Sequence, residues 1–161
     1  MRSMRSVSTM FLLGMWLGGF SAWSSVLMNT PVSKAADGWA ITLSHVKDGP
    51  DEYIGEGGVR VNSDAGEKLI WTLVTVKNES SEEQTFSYDT CALVGKSVTR
   101  QPLVYARHAE TEVEVNSAAD PSDAIAPGQE RMRQLIYTFP KGQRPIRMKC
   151  DKIVLPIPGV R

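Results

Sequence analysis

Few residues in this chain could do chemistry, and the most reactive are two cysteines, Cys91 and Cys150, and two histidines, His45 and His108. A nucleophilic cysteine needs a neighbouring base to form thiolate, and neither histidine stands in a recognisable motif. The chain shows no Ser-His-Asp arrangement in a motif context, no phosphate-cradling glycine loop and no carboxylate pair at a telling spacing. The expectation is a protein that is not an enzyme, with no catalytic residue. In an oxidising compartment two cysteines of one small domain are more often bridged than free. Cys91 and Cys150 are therefore read as a disulfide, with two free buried thiols as the alternative.

His45, His108, Met132 and Met148 could be drawn together with the cysteines into a copper or zinc site, but none of them forms the tight pair that metal motifs show. Asn62-Ser-Asp-Ala-Gly-Glu67 offers oxygen ligands near a glycine, yet lacks the acid spacing of a calcium loop. Asn, Asp and Gly are also what a turn requires, and the segment is read as one. No metal and no cofactor is expected. Asn78-Glu79-Ser80 matches a glycosylation acceptor that only a eukaryotic secretory route would use.

Charge narrows the partners. The chain has 18 basic and 18 acidic side chains, a balance that does not suggest nucleic acid, which needs a basic patch to neutralise its phosphates. Two charged features remain. One is an acidic stretch from Glu110 to Asp123, which includes Glu112 and Glu114. The other is a C-terminal basic set of Lys141, Arg144, Arg147, Lys149 and Lys152. Both can be solvated faces. As functional surfaces, Glu110, Glu112, Glu114, Arg144, Arg147 and Lys149 are the candidates to contact a protein partner or an anionic envelope component.

The elements that would position these residues begin after unusual material. Arg2 and Arg5 precede the uncharged apolar run Met10–Phe20, the pattern of a secretory signal. Small residues offer two cuts, Ser33-Lys34-Ala35 before Ala36 and Ala22-Trp23-Ser24 before Ser25. The first is preferred because Asp37-Gly38-Trp39 then opens the globular part. An uncleaved anchor is the alternative, since Met10 to Met28 just reaches spanning length. No cysteine precedes Cys91, which excludes lipid attachment near the segment. The expected division is thus a signal or anchor over residues 1–35 and one domain over 36–161. If the signal is cleaved, the membrane is not a partner.

From Trp39 onward the hydrophobic period is two. Trp39, Ile41 and Leu43 alternate with Ala40, Thr42 and Ser44, a half-buried strand. Lys68–Lys77 is β-branched and apolar on both faces, so it should lie centrally with both faces covered. Thr85–Tyr88 and Cys91–Val94 read as short strands. Val113 and Val115 alternate with Glu112 and Glu114 as an exposed edge strand, and Arg131–Phe139 places Leu135, Tyr137 and Phe139 on one face. A last strand is expected over Ile146–Leu155, with Cys150 pointing inward in phase with Ile146 and Met148. Short strands near ten-residue spacing, punctuated by Gly and Pro, indicate an all-β sandwich or barrel.

The order of these pieces resembles the immunoglobulin-like domain of unknown function found in many bacterial secreted proteins and lipoproteins, sometimes described as immunoprotective-extracellular-like. The matching residues are Val74-Thr-Val-Lys-Asn78, a Ser80-Ser81 turn and Phe86. Leu93 with Gly95, Ile125-Ala-Pro-Gly-Gln129, Phe139-Pro140 and the closing apolar strand follow, so that the similarity covers about Ala36 to Leu155. The acidic stretch is longer than the pattern, and the lipid-attachment cysteine is missing. The resemblance implies an immunoglobulin-like antiparallel β-sandwich and export, and carries no catalytic residues. The function expected is a non-enzymatic, exported envelope or secreted domain, periplasmic or extracellular, that binds a protein or serves structurally. A periplasmic protein for a small ligand or metal is the alternative, and a membrane-anchored domain outside the cytoplasm is the alternative location.

Overall fold

The computed structural model describes residues 25–54, 60–108, 113–114 and 121–159. Their strands are β1 (Val26–Met28), β2 (Val32–Ala36), β3 (Trp39–Asp48), β4 (Glu52–Ile54), β5 (Arg60–Asn62), β6 (Glu67–Asn78), β7 (Gln84–Ser87) and β8 (Cys91–Val94). There follow β9 (Thr99–Arg100), β10 (Val104–His108), β11 (Val113–Glu114), β12 (Ser122–Ile125), β13 (Glu130–Pro140), β14 (Arg147–Cys150) and β15 (Ile153–Pro156). All strand pairings are antiparallel. Among the described residues no helix is long and apolar enough to cross a membrane.

One sheet runs β1-β3-β6-β13-β10-β11, with β2 beside β1 on the same edge of β3. A second, β15-β14-β8-β9, lies against it together with the β12-β7 pair. The core between them follows from period-two parity. Ile70, Val74 and Val76 of β6 and Leu135, Tyr137 and Phe139 of β13 meet Leu93, Met148 and Leu155 of the second sheet. Each such buried side chain contributes about 1.5–3 kcal/mol by leaving water. The opposite parity of the first sheet is covered as well. Leu69 and Ile136 pack with Tyr53 of the β4–β5 hairpin, and Trp71 adds an edge-to-face ring contact to Tyr53. This is why β6 carries apolar residues on both faces.

Five details differ from the sequence reading. Strand β3 bulges between Leu43 and His45, so Val46 takes the inward place and His45 faces solvent. Tyr88 leaves the strand for a short 3-10 turn over Tyr88–Thr90. The expected single strand over Ile146–Leu155 is a hairpin, broken at Asp151, whose φ of 50° turns the chain; a short polar side chain tolerates that conformation. Ile146, expected inward, is exposed just ahead of β14. Finally, β1 and β2 belong to the first sheet although all but the last residue of β2 falls inside residues 1–35, set apart above as signal or anchor. Leu27 and Met28 are core residues, and five residues of β2 pair with β3.

Candidate functional site

Strand β14 presents two different faces. Inward, Cys150 lies directly opposite Cys91 of β8, and the two form a disulfide with Cα atoms 4.0 Å apart. Two cysteines further apart than about 7 Å could not be bridged without backbone movement. In antibody domains the bridge joins the two sheets; here it joins neighbouring strands of one sheet. The Tyr137 hydroxyl donates a hydrogen bond to the Cys91 carbonyl at 2.9 Å, and burial raises the Tyr137 pKa well above the usual phenol range. Both sulfurs are buried and bonded, so this region is structural rather than nucleophilic.

Outward, β14 exposes Arg147 and Lys149. Their cross-strand partners are Val94 and Pro156 for Arg147, and Ala92 and Val154 for Lys149. Among the described residues neither cation, nor Arg144, has an ion-pair partner. Arg144 is exposed in the loop before β14, which is tied to the end of β8 by a hydrogen bond from Ile146 N–H to the Val94 carbonyl. Arg144 lines an open cleft of about 440 Å³ with Lys96, Ser97, Gly142 and Gln143. Arg147 and Lys149 thus share the outward face of β14, and Arg144 stands in the loop that leads into that strand. Apolar neighbours flank them, and no acid is paired across from them.

Among the described residues, the acidic candidate Glu114 lies elsewhere. Glu114 stands on β11 at the far edge of the first sheet, and Glu110 and Glu112 lie outside the described residues. Asp123, the last acid of that stretch, is drawn into the interior. Arg133 of β13 is fully buried and holds the Asp123 carboxylate in a two-pronged grip, Nε at 2.9 Å and Nη2 at 2.6 Å. Its guanidinium lies 5.0 Å over the Tyr88 ring. Tyr88 packs edge-on against Phe86, and Phe86 against Trp39. The Tyr88 hydroxyl is pushed far above its ordinary value by burial and then by the Asp123 carboxylate. Sequence reading missed this cluster, yet a signal existed: Arg133 has the same parity as Leu135, Tyr137 and Phe139.

A second buried polar node explains the residues that carry the resemblance. The Asn78 side-chain amide donates to the Glu82 and Ile125 carbonyls at 2.7 and 2.8 Å, and its oxygen accepts from Ser80 N–H and Oγ at 2.9 and 2.7 Å. The Asn78 carbonyl accepts from Gly128 N–H, and its N–H donates to the Gln129 carbonyl. Gly128, at φ 73°, makes that approach possible. So Val74–Asn78 and Ile125–Gln129, far apart in sequence, are one structural unit. A buried amide with both protons in use is not a glycosylation acceptor. Gly95 likewise abuts Phe139, where an added Cβ would lie 2.8 Å from the ring.

Asn62–Glu67 forms the β5–β6 connection, with Glu67 paired to Arg100 at 2.6 Å. No group of three or more His, Cys, Asp or Glu suited to a metal ion occurs among the described residues.

Two packed antiparallel layers joined by one core define an immunoglobulin-like β-sandwich, and its disulfide suggests an environment outside the cytoplasm. No protein-family model matches the chain, and no curated protein is similar to it in sequence. Its fold is similar to that of a functionally unknown protein from Listeria monocytogenes EGD-e. The TM-score is 0.52 at 13% identity, over 85% of this chain and 87% of that one. An uncharacterized β-sandwich protein from Clostridium difficile 630 is also similar, with a TM-score of 0.48 at 12% identity over 80% and 89% of the two chains. Likeness at such identity is a likeness of fold.

Proposed function

We propose that this is an exported, non-enzymatic binding module of the immunoglobulin-like kind resembling the immunoprotective-extracellular-like domains. It works in the periplasm or outside the cell, and holds an acidic protein partner against the outer face of β8, β14 and β15. The observation that carries the binding reading is the unopposed pair Arg147 and Lys149, set among Ala92, Val94, Val154 and Pro156 and extended by Arg144. Exposed cations with apolar surroundings attract an anionic surface and then offer it area to bury, and charge complementarity mainly raises the association rate and fixes register. The charged-then-apolar start and the disulfide support export.

The test is site-specific photocrosslinking in the native host. A crosslinker at Lys149 is expected to trap a discrete product in the envelope or secreted fraction, and one at Lys77, exposed on β6, to trap none. Arg144→Gln with Arg147→Gln should lower the Lys149 yield several-fold, more at low salt than at high. An unchanged yield, or no product from Lys149, would overturn this reading.

A further inference from the structure

Resting on the export reading above, we infer that the chain is processed between Ser24 and Ser25, so that residues 25–36 remain part of the mature domain. The step is hydrolysis of the Ser24–Ser25 peptide bond by a membrane-bound peptidase of the class that removes export signals. Water supplies the new Ser24 carboxylate and the new Ser25 ammonium.

The alternative cut, between Ala35 and Ala36, is incompatible with what the sheet requires. Asp37 and Gly38, at φ 54° and 81°, form a two-residue turn between β2 and β3. A turn with both central residues at positive φ matches the twist of a tight antiparallel hairpin. Val32 to Ala36 pair in register with Leu43 to Trp39 across it. A cut before Ala36 would halve that hairpin. It would also remove Leu27 and Met28 from the core, where Met28 is 1% exposed. Finally it would leave the ten-residue strand β3 as a bare sheet edge, a template for aggregation.

The cut before Ser25 leaves both β1 and β2 in the mature chain. The fold holds Ser25: its carbonyl accepts the Asp48 N–H at 3.0 Å, and its hydroxyl donates to the Asp48 carboxylate. The sequence on the other side fits a processing enzyme. Ala22 and Ser24 are the small residues at alternate positions that such a peptidase accepts. Ser24 also lies four residues beyond Phe20, where the apolar run ends. Extended chain covers that gap in about 13 Å, whereas Ala35 would lie about 50 Å away from the end of the run. A membrane-bound active site reaches the nearer bond.

The experiment is N-terminal sequencing and intact-mass measurement of the full chain made in its native host, beside the variants Ser24→Tyr and Ala35→Tyr. The expected mature terminus is Ser25. Ser24→Tyr should abolish processing and accumulate precursor, and Ala35→Tyr, at an exposed position of β2, should leave the Ser25 terminus unchanged. A terminus at Ala36, or processing blocked by Ala35→Tyr and not by Ser24→Tyr, overturns the inference and leaves export standing. Intact Met1 on membrane-bound protein overturns it in favour of an anchor. Intact Met1 on soluble cytoplasmic protein overturns the export reading itself.

Discussion

Arg133 and Arg147 are both arginines on antiparallel strands, and the fold uses them in opposite ways. Arg133 points into the interior, where Asp123 grips it at two points, the Ser122 carbonyl accepts a further hydrogen bond and the Tyr88 ring covers it. Arg147 points out, with valine and proline beside it and no carboxylate paired with it among the described residues. Side-chain chemistry is the same in both. What differs is strand parity and the neighbour across the ladder, so a cation becomes a structural brace in one region and an open binding group in the other.

The sharpest way to break that comparison is Asp123→Ala. It strands a buried guanidinium and should cost about 3–5 kcal/mol, read from urea unfolding. Replacing both partners, Asp123→Leu with Arg133→Met, should recover most of the loss, because apolar groups of similar volume need no partner. A double variant as unstable as Asp123→Ala would show the pair to be more than a brace.

Next in size is the inward face of β14. Cys91→Ala with Cys150→Ala opens a bridge with a sequence separation of 59 and should cost about 2–4 kcal/mol on the chain-entropy account. Reduction of the wild type should lower its thermal midpoint to the same value. If midpoint and denaturant profile stay unchanged, the bridge adds nothing to the hairpin it ties.

A smaller effect should appear at high pH. Tyr88 and Tyr137 have pKa values raised from the ordinary 10.0, chiefly by burial. The folded state therefore holds protons that the unfolded state releases. The associated stability is complete below pH 10 and is lost as pH climbs past 10 towards the folded values. Phenolate absorbance of these two tyrosines should rise only with unfolding. Tyr88→Phe and Tyr137→Phe together should flatten the alkaline decline. A Tyr88 or Tyr137 that titrates normally in the folded protein would contradict its burial.

The smallest effect on stability belongs to the outer face. Arg147→Gln with Lys149→Gln should change unfolding free energy by no more than about 0.5 kcal/mol, while slowing capture of the acidic partner. A large loss of stability would mean that these cations brace the sheet after all.

Much of the fold was legible beforehand, for reasons tied to particular strands. Lys68–Lys77 is apolar on both faces, and β6 is covered on both. Leu135, Tyr137 and Phe139 share a face because a strand alternates sides with a period of two. The hairpin at Asp151 was not legible, because a lone aspartate at positive φ leaves no pattern. Arg147 and Lys149 could be named as partner candidates from charge alone, but their apolar surroundings appear only when β8 and β15 flank β14.

By itself the sequence determined the all-β class, the inward parity of the core residues and the charged-then-apolar start. These depend on local periodicity and composition, which neighbouring residues set. Tertiary structure alone decided that Cys91 and Cys150 face each other across one ladder and that Asp123 leaves the acidic stretch to meet Arg133. It also decided that Asn78 joins two distant motifs and that Val26–Met28 and Val32–Ala36 are strands of the sheet. Each of these is a pairing between segments remote in the chain. Strand register and sheet order choose such partners, and no run of adjacent residues encodes them.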